Sequence, residues 1–232
     1  MSPLIRPCLN SAVLRRVAVL SVAIVLTACG NTPPAPDWQM NAKGALERAQ
    51  DAYLAGNARV ETAEFARARS EVASTGRADL VARVELARCA IRVASLVFEE
   101  CAGFTALAQD AAEPERAYAD YLAGRAQARD AALLPEQHRA VATAITQGNM
   151  DLKSIADPLA RLVAAGVLLQ TSRADPATIR MAIDTASAQG WRRPLLAWLG
   201  VQAQRAEAAG DAGEAARIRR RIALAGDGAP AR

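Results

Sequence analysis

From Asp37 onward, apolar positions recur at the three- and four-residue spacing of helices. The pattern is clearest over residues 77–98. There Leu80, Val84, Ala87, Ile91, Ala94 and Phe98 form one stripe, and Ala82, Leu86, Cys89, Val93 and Leu96 form a second, roughly opposite. Glu85, Arg88, Arg92, Ser95 and Glu99 occupy one polar edge between them. A helix that is apolar on two sides is packed on two sides, so this segment is expected to be a central element. Before it, Asp37 offers an N-cap to a helix through Ala45, Leu46, Ala49 and Tyr53 that stops at Gly56-Asn57. A second helix follows through Val60, Phe65 and Val72 to Gly76. After it, proline opens helices and glycine closes them. Glu113-Pro114 starts one through Tyr118 and Leu122 towards Leu134, and Pro135 starts one that stops at Gly148-Asn149. Asp151 caps a short turn. Asp157-Pro158 and Asp175-Pro176 start two more, the second ending at Gly190. Pro194 starts one ending at Gly210, and the last runs from about Asp211 to Ala225.

Alanine dominates this body and β-branched residues are sparse, which favours helix and disfavours strand. The expected fold is therefore all-α: antiparallel helical hairpins forming an irregular helical bundle or a degenerate α-solenoid over residues 37–225, with a frayed tail at 226–232. Ala52, Gly56, Phe65 and Ala68 resemble the second half of a tetratricopeptide unit in spacing, and Gly210, Ala215 and Ile222 do so more weakly. The unit's usual first-helix residues are replaced by Ala45, Arg48 and Ala49, and no 34-residue period links the two matches.

The first 36 residues read differently. Arg6, Arg15 and Arg16 precede an apolar run of 12 residues, Val17 to Ala28. A bilayer-spanning helix takes roughly 20, so the run describes an export signal, not a membrane span. Leu26-Thr27-Ala28-Cys29 resembles the lipobox of bacterial lipoproteins. The resemblance implies that residues 1–28 are removed and that Cys29 takes a diacylglyceryl group and a further acyl chain, more than the two chains that stable anchoring needs. Gly30 after the cysteine implies the periplasmic face of the outer membrane, with the inner membrane as the alternative. Asn31 to Pro36 then forms a short proline-rich tether of roughly 20–25 Å.

Removing the leader takes three of the 28 basic residues and none of the 24 acidic ones, so the formal excess of +4 nearly vanishes. Nothing in that balance points to nucleic acid, which wants a concentrated basic face. Cys8 leaves with the leader and Cys29 takes lipid, so Cys89 and Cys101 remain in a compartment that permits disulfides. A helix continuing to Phe98 would carry Cys89 about 13 Å back along its axis. Three extended residues return only roughly 10 Å, and the Cα atoms must come within about 7 Å. A bridge needs a sharp reversal at Phe98-Glu99-Glu100; the alternative is two small buried thiols.

Candidate chemistry in the body is thin. His138, the single histidine, follows Pro135-Glu136-Gln137 at a helix start and lacks a nearby ligand cluster, so it is expected on an exposed helix surface and no metal site is read. Glu99, Glu100, Asp110, Glu113 and Glu115 are expected to be solvated acids at helix ends. No phosphate loop, Gly-x-Ser-x-Gly or His-Glu-x-x-His motif is present, and no catalytic residue or cofactor is assigned. Arg217, Arg219, Arg220 and Arg221 suit the C-terminal end of the last helix, with Glu214 as a neighbour of Arg217. Trp191-Arg192-Arg193-Pro194, leading into Leu195, Leu196 and Trp198, holds two of three tryptophans. Trp and Arg are enriched at interface hot spots, so Trp191, Arg192 and Arg193 form the candidate partner surface, while Trp198 and Leu195 are expected to fill core. The function expected from location and composition is a lipid-anchored envelope scaffold or adaptor with a protein partner. An envelope enzyme acting on cell wall or lipid and a structural assembly lipoprotein are its alternatives.

Overall fold

The computed structural model describes residues 34–144 and 152–227. The leader, Cys29, residues 30–33, the Gly148-Asn149 stop, Asp151 and the tail beyond Asp227 lie outside the described residues. The three residues 34–36 carry no regular structure and are exposed.

The body is all-α, as the pattern implies. Ten α-helices are described: α1 (Asp37–Ala55), α2 (Ala58–Ala73), α3 (Ala78–Ala94), α4 (Ala102–Thr105), α5 (Glu113–Leu122), α6 (Glu136–Ala144), α7 (Pro158–Gln170), α8 (Pro176–Ala188), α9 (Arg192–Ala208) and α10 (Ala212–Asp227). Two short 3-10 segments, Ala128–Leu133 and Leu152–Ser154, complete them. Three of the proline starts are built as the sequence suggests: proline stands in the first turn of α5, α7 and α8, and Asp157 and Asp175 cap α7 and α8 through their carboxylates. The segment after Pro114 does not continue to Leu134. Helix α5 ends at Leu122, and Gly124, at φ +71°, turns the chain into the 3-10 segment.

Helices α1 and α2 pair as an antiparallel hairpin, as do α9 and α10. The first hairpin meets on small residues: Ala42, Ala45 and Ala49 of α1 lie against Phe65, Ala68 and Val72 of α2, joined by Val81 and Val84 of α3. Alanine on both faces lets the two axes approach closely. A larger core gathers α3 and α5 through α10. Helix α3 is central to both, packing on α1, α2, α4, α5 and α7. Its two apolar stripes are the reason. Helix α7 is buried continuously from Leu162 to Leu168, and Gly166 lets it close on α3: a Cβ there would stand 2.4 Å from the Val93 carbonyl oxygen.

The polar edge of α3 is the seam on which its neighbours are registered. Arg88 donates to Glu61 of α2 at 2.8 Å and lies over the Phe65 ring, and Glu85 accepts from Arg69 of α2 at 2.7 Å. Outside that edge, Arg83 pairs with Glu115 of α5. In each pair the glutamate is buried and the arginine reaches it from a more exposed position. Arginine suits this because its stem covers apolar surface while its head stays partly hydrated.

Candidate functional site

Helix α3 ends at Ala94, four residues short of the expected Phe98. Leu96 takes φ +60°, and the Leu96 and Val97 amides return to the Val93 and Arg92 carbonyls at 3.0 and 2.9 Å. This is a Schellman stop, built on leucine where glycine is usual. It reverses the chain at Ser95-Leu96, ahead of the Phe98-Glu99-Glu100 turn that the sequence suggests. The reversal brings Cys101 back beside Cys89, with Cα atoms 5.9 Å apart and the sulfurs joined. Cys101 is also the N-cap residue of α4, so the bridge ties α3 to the next element.

The pinned loop forms one wall of a cleft of about 790 Å³. Leu86, Val93, Phe104 and Leu122 line it with apolar surface, and Phe98 stands at its edge with 41 % of its surface exposed. The charged lining is largely satisfied within the chain. Arg92 donates to Glu99 at 2.9 Å, Arg125 to Asp120 at 2.9 Å, and Thr105 to Glu100 at 3.2 Å. The buried Nε of Arg92 has no protein acceptor. The cleft therefore offers apolar surface, a half-exposed aromatic ring and polar groups held in fixed places. Those are the means of binding a chain segment.

In the Trp191 to Trp198 stretch, Pro194 and Trp198 are buried and the other residues, Trp191, Arg192 and Arg193 among them, are half-buried. Arg193 donates through Nε to the Tyr53 carbonyl at 2.8 Å, and its guanidinium lies 4.3 Å over the Tyr53 ring. The Arg192 guanidinium approaches Gly56, which holds φ +89°; a Cβ there would lie 2.6 Å from Arg192 Nη2. Two cations thus sit at the C-terminal end of α1, where free carbonyls and the helix dipole favour positive charge. Trp191 is half-buried against Tyr53, Leu54 and Ile91. Trp198 is fully buried, and its indole N–H donates to the Ala94 carbonyl at 3.1 Å, capping the end of α3. The arginine pair is used inside the chain in a way that composition could not reveal. At the other end, Arg217 grips Glu214 with two contacts of 2.6 Å, and Arg219 reaches Glu207 on α9.

Two expectations about polar residues are corrected. His138 is not on the surface but 1 % exposed, and Glu115 is not a solvated acid but 4 % exposed. Helix α6 turns His138 onto the rings of Tyr118 and Tyr121 of α5, with centroids 5.6 and 4.9 Å away. The Tyr121 hydroxyl and His138 Nδ1 lie 3.2 Å apart in a buried hydrogen bond. Glu115 is drawn in by Arg83. Neither partnership leaves a local mark in the sequence, because each joins different elements. Among the described residues, no three of His, Cys, Asp and Glu lie close enough together to hold a metal ion.

Burial pushes the His138 imidazole down from 6.5 to about 4, with the Asp157 carboxylate opposing the shift. The sign is that of a group kept neutral by folding. Above pH 6.5 both states are neutral and nothing is lost. Between 6.5 and about 4 the unfolded chain takes up a proton that the folded chain refuses, so stability falls with pH across that window. Thermal melts at about pH 7.5 and about pH 4.5 should show a larger drop for the wild type than for His138→Gln. Equal drops would place the acid sensitivity elsewhere.

Comparison with protein-family models, with curated proteins and with solved structures finds no match in any of the three. Among the described residues, no helix is long and apolar enough to cross a membrane.

Proposed function

We propose that the chain is a lipid-anchored protein of the bacterial envelope whose helical body serves as an adaptor, holding a segment of a protein partner in the cleft beside the disulfide loop. The anchor reading is supported by the lipobox-like Leu26-Thr27-Ala28-Cys29 behind a leader too short to span. The adaptor reading is carried by one observation: Phe98, a large apolar side chain left 41 % exposed, on a loop that the Cys89–Cys101 bridge holds at the edge of an apolar-floored cleft. Exposed aromatics fixed in place in this way are the usual anchors of protein interfaces.

The two halves are tested separately. Cys29→Ala should abolish incorporation of a labelled fatty acid and release the chain from the membrane fraction; equal labelling in variant and wild type would remove the anchor. Phe98→Ala should leave the melting temperature nearly unchanged, since exposed substitutions usually stay within about 0.5 kcal/mol. Recovery of crosslinked partner from detergent-solubilised membranes should fall at least about tenfold, as expected when a hot-spot side chain is truncated. Undiminished recovery would remove the cleft from the reading.

A further inference from the structure

Helix α10 buries Ala215 and Ile218, with Ile222 half-buried beside them, and rests chiefly on α9. The opposite face is the unusual one. Leu224 is 78 % exposed, more than Met40, Val60 or Phe98, the other large apolar side chains at the surface among the described residues. Arg221, Arg220 and Arg217 stand three, four and seven positions before it, which puts them on its side of the helix.

The fold leaves part of this charge uncompensated. The sequence suggests that the arginines complement the helix dipole, but the last turn of α10 holds no basic residue, and the dipole acts only within a turn of the end. Arg217 is held by Glu214 and Arg219 by Glu207. Arg221 acts on Glu214 through its charge alone, and Arg220 makes no ion pair or hydrogen bond among the described residues. Helix α9 offers no further acid, since Glu207 is its only one. Asp211 accepts from the Glu214 amide at 2.9 Å, which leaves Asp227, at the end of α10, as the one remaining acid of the hairpin.

Guanidinium groups beside an exposed leucine fit a partner with phosphates at its surface and hydrocarbon just beneath. The face has no groove, since no residue of α10 lines the cleft beside the disulfide loop or the smaller one between α3, α5 and α6. A surface that moulds itself to a helix suits it better than an inserted peptide. We propose that α10 rests on anionic phospholipid, with Arg220 and Arg221 on headgroup phosphates and Leu224 at the acyl boundary. The inference rests on the anchor half of the reading above, which keeps the body beside a bilayer.

The experiment reconstitutes the lipid-bearing chain into vesicles of phosphatidylcholine, alone or with about one-third phosphatidylglycerol as the anionic lipid. A polarity-sensitive thiol dye on Ala223→Cys, an exposed position next to Leu224, is the readout. Its emission should shift to the blue on the anionic vesicles and not on the neutral ones, and about 0.5 M NaCl should reverse the shift by screening. Arg220→Glu should reduce the shift at least about fivefold, the effect of one cation near such a surface. Leu224→Ser should reduce it as well, and both positions are exposed, so both variants should fold. Pelleting with neutral vesicles tests the anchor by itself. A chain left in the supernatant there would end the anchor reading, and the shift on anionic vesicles would then decide for α10 alone. An equal shift on phosphatidylcholine, no shift on either vesicle, or an undiminished shift in Arg220→Glu would each overturn the proposal. The same shift with soluble polyglutamate in place of the anionic lipid would overturn it in favour of an acidic protein.

Discussion

Trp198→Ala should cost roughly 3–5 kcal/mol, enough to consume a large share of the stability of a domain this size. The residue is fully buried on α9, inside the core that gathers α3 and α5 through α10. Truncation removes the largest buried side chain and leaves a cavity whose walls are helices held by other contacts, so collapse is incomplete. It also strips the donor from the Ala94 carbonyl, one of the free acceptors at the end of α3. Trp198→Phe separates the two losses, because it keeps most of the volume while removing the indole N–H. It should cost about 1–3 kcal/mol, the range for a buried acceptor left unpaired. Urea titrations of the three proteins give the comparison. A Trp198→Phe variant as unstable as Trp198→Ala would assign the effect to the hydrogen bond, and a near-neutral Trp198→Ala would remove the residue from the core.

What could be read from the sequence divides along a physical line. Features fixed by neighbouring residues were legible: the all-α class from alanine content, the starts at Asp157-Pro158 and Asp175-Pro176, and the two-sided burial of α3. The stop of α3 was not, because leucine at φ +60° carries a cost that only the surrounding fold can offset. Leu96 packs on the main core, and that packing is invisible to a search for glycine. His138 and Glu115 were placed outside because their types are usually exposed and their partners lie on other helices. Arg193 shows the same limit from the other side. A cation beside tryptophan suggests a partner, yet its acceptor is the Tyr53 carbonyl, 140 positions away in the chain. The polar edge of α3 held the missing signal. Glu85 and Arg88, between two buried stripes, have little room for solvent, so those charges need partners on the packed neighbours.

Reducing the Cys89–Cys101 bridge should lower stability by about 3 kcal/mol, the chain-entropy value for a closed loop of this length. The two cysteines are 12 positions apart, and the bridge joins α3 to the N-cap of α4 across the Leu96 reversal. The left-handed leucine makes the loss larger in consequence than in size. Without the bridge, the Schellman turn holds residues 95–101 against a backbone conformation that leucine disfavours, and this segment should open first. Phe98 travels with it. On the adaptor reading proposed above, reduced protein should lose partner recovery at temperatures where its helical circular dichroism is still native, an order of events that a uniform loss of stability would not produce. Urea titrations with and without reductant, alongside the Cys89→Ser and Cys101→Ser double variant, measure the first effect; crosslinking at matched helicity measures the second. An unchanged urea midpoint after complete reduction would show that the Leu96 turn holds the loop unaided. On the envelope reading proposed above, a cytoplasmic version lacking residues 1–28 should show the reduced protein's midpoint.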